Sequence, residues 1–224
     1  MARARPLSEP LIAGLLLAGG RSRRMGGGDK CLRLLAGRTL LARAIARARP
    51  QVSSLTLSVA GNPARFHAYG LPTLTDSVHG QLGPLAGILA GLERAAKAPS
   101  SVTWLASFPT DAPFFPRDLV RRLADAAGDA EIVCARSYGR LQPLFSLWSP
   151  GLAAVLRRAV VDEGVRQVDQ WIAGRDLRVV DFAVHAVDPF FNINAPEDLV
   201  AAEGMVAGIE QATSGEAVNR EEPR

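Results

Sequence analysis

The residues best suited to chemistry are crowded into one segment, Leu17-Ala18-Gly19-Gly20-Arg21-Ser22-Arg23-Arg24-Met25-Gly26-Gly27-Gly28-Asp29-Lys30. Its glycines let backbone N–H groups approach a ligand closely, and Arg21, Arg24 and Lys30 add positive charge beside them. Such a loop suits the phosphates of a nucleoside triphosphate. Lys30 draws further notice because the chain has only one other lysine, Lys97, against 24 arginines. The loop is not a Walker A motif, since Asp29 precedes Lys30 and Cys31 follows it, and G-x-G-x-x-G is missing too. A solvated surface loop is the competing reading, but glycines, cations and position agree on a ligand.

Asp111, in Pro109-Thr110-Asp111-Ala112-Pro113, is the second candidate. A carboxylate between stiffening prolines, just past an apolar run, can hold Mg²⁺ against a phosphate, whereas a turn aspartate would only cap. Asp76 also ends a stretch expected as a strand, Thr73–Thr75, where an aspartate can equally cap a following turn. Other metal chemistry is disfavoured. Cys31 and Cys134 are far apart, and His67, His79 and His185 are isolated. Two cysteines make no disulfide framework, which points to a reducing compartment.

These candidates need strands to carry them. Residues 11–18 form a continuous apolar run ending at glycines, as a strand buried on both faces of a parallel sheet does. Further strands are expected at 55–59, 73–75, 102–108, 132–135, 144–148 and 177–182, with a turn at Tyr138-Gly139. Helices are expected at 40–48, 63–69, from Pro84 through Leu92, from Pro116 to about Ala127, at 152–161 and 165–173, and from about Ala195 to Val206. Strands alternating with helices predict an α/β fold with a mostly parallel, doubly wound sheet. The loop and Asp111 would then both lie at the carboxyl ends of strands, where such sheets bind ligands. One domain is expected over residues 1–207, with a polar, frayed tail over 208–224.

Charge narrows the partners. Residues 1–50 hold eleven Arg/Lys against two Asp/Glu, and the rest of the chain holds fifteen against twenty. Positive charge gathered around one loop fits a local phosphate site better than a stripe tracking nucleic acid. The apolar run at 11–18 is too short for a membrane span and lacks a signal-peptide cleavage pattern, so a cytoplasmic protein is expected.

The loop resembles the opening motif of the molybdenum cofactor guanylyltransferase family, L-A-G-G-x-S-x-R-M-G-x-x-D-K, and meets every fixed position of it. The resemblance continues through Gly37-Arg38, Gly70-Leu71-Pro72, Asp76, Gly83-Pro84-Leu85-Ala86-Gly87, Pro109–Pro113 and Phe191-Asn192-Ile193-Asn194-Ala195-Pro196-Glu197-Asp198-Leu199. It implies a Rossmann-like nucleotidyltransferase fold, GTP as substrate, Mg²⁺, and transfer of GMP onto molybdopterin. Lys30, Asp111 and Arg24 would be catalytic. Leu17, Ala18, Gly19, Gly20, Arg21, Ser58 and Asp76 would join Lys30 and Asp111 in binding the nucleotide, with Asp111 on the metal. Gln142, Asn192 and Asn194 are candidates for the acceptor side, and apo-molybdoenzymes or their chaperones for partners of a monomer. Two departures stand out. Ser58-Val59-Ala60-Gly61-Asn62 replaces the N-A-N of many relatives, leaving Ser58 or Asn62 to supply the polar contact, and Gln142 stands where relatives often have His. Asn194 also fits a capping box with Glu197.

The cytidylyl-transferring sister enzymes usually read L-A-A-G in the loop, so Gly19 favours guanine. A catalytically silent nucleotide or cofactor carrier is a reading of another class, against which Lys30 and Asp111 both argue.

Overall fold

The computed structural model describes residues 10–19, 27–75, 83–98, 102–184 and 187–218, with side chains up to 208. Gly20, Arg21, Arg24 and Asp76 lie outside these residues.

A seven-stranded sheet forms the centre. Its strands are β1 (Ile12–Leu17), β4 (Ser54–Val59), β5 (Thr73–Thr75), β6 (Trp104–Pro109), β7 (Ile132–Ser137), β8 (Arg140–Trp148) and β9 (Leu177–Asp181). They lie in the order β5-β4-β1-β6-β8-β7-β9, all parallel except β8, which runs antiparallel to both neighbours. A two-stranded hairpin, β2 (Leu34–Leu35) with β3 (Arg38–Thr39), is an element not foreseen in the sequence. Two-residue strands are too short to show an alternation.

The sheet is covered on both faces, as the unbroken apolar runs of β1 and β6 require. On one face α1 (Leu40–Ala48) and α3 (Leu119–Asp125) pack against Leu16, Ala106 and Phe108. On the other, α2 (Pro84–Ala96), α4 (Ala153–Val161) and α5 (Val168–Ile172) pack against Leu15 and Leu105. Helix α2 comes unusually close to the sheet. A Cβ on Gly91 would lie 2.8 Å from Leu15, and one on Gly87 would lie 2.5 Å from Ser58 Oγ and 3.0 Å from Leu17. The last helix, α6 (Pro196–Val218), joins the hairpin in a separate small cluster around Leu35, Leu40, Ile193 and Ala202.

Several boundaries differ from expectation. Helix α3 begins at Leu119, not Pro116, because Gln51 intervenes: its amide donates to Pro116 O (3.1 Å) and its carbonyl accepts from Val120 N (3.0 Å). Helix α5 starts at Val168, because Gln167 before it is extended (φ −93°, ψ 120°). Helix α6 runs past Gly208, where the tail was expected to begin, as far as Val218.

Candidate active site

Strand β1 is flanked by β4 on one side and β6 on the other. The chain leaves β1 for β4 and β5, then crosses back to β6, so the strand order reverses at the β1–β6 pair. In open α/β sheets the crevice at the carboxyl ends of such strands is where ligands bind. The glycine loop leaves β1 at this point, and Asp111 follows β6 directly.

The structure brings Lys30, Asp111 and Asn194 together there. Lys30 Nζ donates to Asp111 Oδ2 and to Asn194 Oδ1, each at 2.6 Å. Lys30 is only 9% exposed, so its charge is largely withdrawn from water and depends on these two acceptors. Asp111 keeps more contact with solvent, its side chain being 27% exposed.

Each of the three is held by its backbone. Lys30 opens a 3-10 turn, Lys30–Leu32, in which Leu32 N bonds to Asp29 O and Arg33 N to Lys30 O, both at 3.1 Å. Gly27 and Gly28 enter this turn with φ of 84° and 78°, a region costly for any residue with a Cβ. Asp111 sits among the buried residues Thr110, Ala112, Pro113 and Phe114. Thr110 Oγ1 donates to Leu17 O (3.1 Å), tying the end of β6 to the end of β1. Ile193 N donates to Asp111 O (2.8 Å), which carries Asn194 to the site from far along the chain.

Asn194 corrects the capping-box reading. The carboxylate that caps α6 belongs to Asp198, not Glu197, and accepts from Asn194 N (2.7 Å) and Ala195 N (2.9 Å). With the cap provided from the third helical residue, the Asn194 side chain is available to Lys30. Asn62 is likewise committed: its Oδ1 accepts from Ala64 N (2.9 Å), capping the 3-10 helix Pro63–Tyr69, so it does not swing into the cleft.

The remaining candidates are distributed around this centre. Leu17, Ala18 and Gly19 form the carboxyl end of β1, with Ala18 N bonded to Ser58 O at 2.9 Å. Among the described residues, a Cβ on Gly19 would meet only the Ala60 Cβ, at 4.0 Å. Ser58 is 4% exposed and its hydroxyl lies against Gly87 of α2, which gives the small residue a packing reason. Gln142 donates to Ser137 Oγ (3.1 Å). It sits in β8 beside a bulge in which the register passes from Cys134↔Ser146 to Ala135↔Gln142, accommodating Pro143. Gln142 and Asn192 both line two adjoining cavities, of about 600 and 360 Å³, the smaller also bordered by Pro109 and Arg166.

A buried thiol lies next to the site. Burial, with the Asp29 charge second, pushes the Cys31 thiol up to about 12. Among the described residues there is no group of three or more His, Cys, Asp or Glu arranged to hold a metal. What the described residues offer is one partly exposed carboxylate beside a cation. That suits Mg²⁺, which is commonly bound through one or two carboxylates with phosphate oxygens and waters completing its shell.

Residues 14–179 match the family described as "MobA-like NTP transferase domain". The molybdenum cofactor guanylyltransferase of Rhodopseudomonas palustris strain HaA2 is 48% identical over 198 residues, covering 88% of this chain and 92% of that protein. This chain belongs to the molybdenum cofactor guanylyltransferase family. Its relative of the same name in Mesorhizobium japonicum is 47% identical over 204 residues, 88% of this chain and 97% of that one. Among solved structures, molybdopterin-guanine dinucleotide biosynthesis protein A from Archaeoglobus fulgidus matches with a TM-score of 0.71 at 21% identity, covering 88% of this chain and 99% of that one. A Mycobacterium tuberculosis protein solved in complex with manganese matches at 0.64 and 20%, covering 87% and 98%. At such identities the structures speak for the fold of this nucleotidyltransferase.

The sequence missed two contributors. Asp198 as the cap was hidden by Glu197, which fits the spacing equally well. Arg65 lies in a segment without any recognisable motif, and it contacts Asp29 from 36 positions away. No local pattern reports a pairing of that span.

Proposed function

We propose that this guanylyltransferase-family enzyme transfers GMP from GTP to the terminal phosphate of molybdopterin, releasing pyrophosphate. The observation that carries the reading is the convergence of Lys30, Asp111 and Asn194 at the carboxyl ends of β1 and β6, beside the glycine loop.

In the proposed reaction an oxygen of the acceptor phosphate attacks the α-phosphorus of GTP. A bond forms from that oxygen to phosphorus, the α–β bridging bond breaks, and pyrophosphate leaves with the electron pair. A phosphate acceptor is already ionised near neutral pH, so no general base is required. The enzyme's task is to bring two anions together in line and neutralise the charge that gathers on the phosphate oxygens. Lys30 supplies a fixed cation from a nearly dry position, where a charge acts more strongly than in water. Asn194 and Asp111 hold its ammonium in place. A divalent cation on Asp111, Mg²⁺ in this reading, supplies further charge neutralisation at the α-phosphate when bound. The cavities at Gln142 and Asn192, the smaller of which reaches Pro109 at the end of β6, provide room for the acceptor.

Guanine is favoured over cytosine by Gly19, whose missing side chain serves no packing purpose among the described residues. Thermal stability measured with Mg²⁺ and GTP, CTP, UTP or ATP in parallel tests this, because a ligand that binds the native state raises its melting temperature. GTP should give the largest shift. A larger shift with CTP would move the assignment to the cytidylyl-transferring sister activity.

A further inference from the structure

The guanidinium of Arg65 makes four polar contacts. Its Nε reaches Asp29 Oδ2 at 2.5 Å and its Nη2 donates to Asp29 Oδ1 at 3.1 Å, so both carboxylate oxygens are taken. Nη2 also donates to Ala60 O (2.6 Å) and Nη1 to Asn62 O (2.5 Å). The plane rests over the buried Phe66 ring, 4.7 Å from its centroid. Only arginine has the planar fork that can make this set of contacts at once.

The place of these contacts matters more than their number. Asp29 immediately precedes Lys30, and its carbonyl accepts the first bond of the turn that carries Lys30. Ala60 and Asn62 belong to the turn after β4, and the same turn faces Gly19, where β1 ends. Arg65 therefore fastens the exit of the glycine loop to the wall that also stands beside its entrance. Lys30 is held from two sides, by Arg65 acting through Asp29 and by Asp111 at the end of β6.

We propose that Arg65 is a positioning residue for the nucleotide site: through Asp29 it fixes the end of the phosphate loop, and with it Lys30, before substrate arrives. The proposal rests on the reading of the cleft as a nucleoside triphosphate site. A loop fixed at both ends has less freedom to lose when a ligand orders it, so the benefit falls on nucleotide binding and on alignment of Lys30.

The test compares Arg65→Lys, Arg65→Met, Asp29→Asn and the Arg65→Met/Asp29→Asn double variant of the full chain. Steady-state pyrophosphate release should show kcat/KM for GTP lowered 10- to 100-fold in Arg65→Met, mainly through a higher KM for GTP. The KM for molybdopterin should stay within twofold. Arg65→Lys should recover only part of the loss, since it restores charge without the fork. The double variant should be no worse than the poorer single one, because both changes break one unit. Amide hydrogen exchange without any ligand gives a second readout, independent of what the cleft binds. The Leu32 and Arg33 amides should exchange at least tenfold faster in Arg65→Met, with amides in the β1 and β6 core unchanged. A normal KM for GTP with unchanged exchange would overturn the proposal, as would additive losses in the double variant. Equal losses for both substrates with faster exchange throughout the core would also overturn it, by making Arg65 a general stabiliser. Failure of the wild-type chain to bind any nucleoside triphosphate, with exchange still accelerated at Leu32 and Arg33, would instead count against the assigned function while leaving the brace standing.

Discussion

Removing the ammonium of Lys30 separates a catalytic cation from a structural one, and the structure sets the size of both effects. Lys30→Met keeps most of the aliphatic stem and deletes the two 2.6 Å hydrogen bonds to Asp111 and Asn194. The partner left behind, Asp111, is 27% exposed in its side chain. Exposed ion pairs contribute about 0–1 kcal/mol and breaking a fully buried one costs about 3–5 kcal/mol. A pair at the mouth of a cleft falls between, and about 1–2 kcal/mol is expected from those limits. For a chain of this size that lowers the melting temperature by roughly 2–8 °C. The catalytic effect should be far larger. Loss of one charge-stabilising donor commonly costs about 3–4 kcal/mol, or 10²- to 10³-fold in kcat. Pyrophosphate release and calorimetric unfolding measured on one preparation give both numbers. Lys30→Arg should lie between, because it keeps the charge but not a single nitrogen that fits between two acceptors. Turnover of Lys30→Met within threefold of wild type would refute the catalytic role, and a melting temperature lowered by more than about 15 °C, a loss several times the expected cost, would show that the residue is chiefly structural.

Other outcomes follow from the same contacts. Asp111→Asn should lower transfer by orders of magnitude and also lower the melting temperature by a few degrees, since it leaves the buried Lys30 ammonium without its counter-charge; unchanged activity at low Mg²⁺ would remove Asp111 from the metal. Gly19→Ala should leave unfolding unchanged within about 1 kcal/mol, having only Ala60 near it among the described residues, and should narrow the preference for GTP over CTP; an unchanged preference would clear Gly19 of base selection. Gly87→Ala should destabilise by about 1–3 kcal/mol through overpacking against Ser58 and Leu17, and a rise in stability on calorimetry would show that the interface yields. Cys31, with its thiol raised to about 12, should resist alkylation in the folded protein at pH 8–9 and react at the ordinary rate in denaturant. Because the folded value is raised above the ordinary 9.0, its contribution to stability is complete below about pH 9 and is lost as pH rises toward 12.

Much of the fold was legible because burial on both faces writes itself into a strand. The runs that became β1 and β6 are apolar without alternation, and the glycine loop and Asp111 follow their ends as a doubly wound sheet requires. The proline-opened α2 was equally plain, but its close approach to the sheet through Gly87 and Gly91 shows only in three dimensions. What the sequence hid are the effects of distance and of competing local partners. Asn194 meets Lys30 across 164 positions, and its short-range signal pointed to a cap that Asp198 makes instead. Gln51 shifts the start of α3 from another element altogether. The bulge that seats Pro143 and presents Gln142 depends on pairing with β7, which no single-strand pattern records. Arg65 had no motif to mark it, and arginines are too common in this chain for one more to stand out.

The central claim is that this cleft moves a guanylyl group onto molybdopterin. Purified protein, molybdopterin and Mg²⁺ incubated with GTP labelled at the α-phosphate, and in parallel with CTP so labelled, test it directly, with the product identified by mass. The account predicts label in a molybdopterin guanine dinucleotide, one pyrophosphate released per label transferred, and little transfer from CTP. Label transferred from CTP and not from GTP, or GTP bound with no pyrophosphate released, would contradict it.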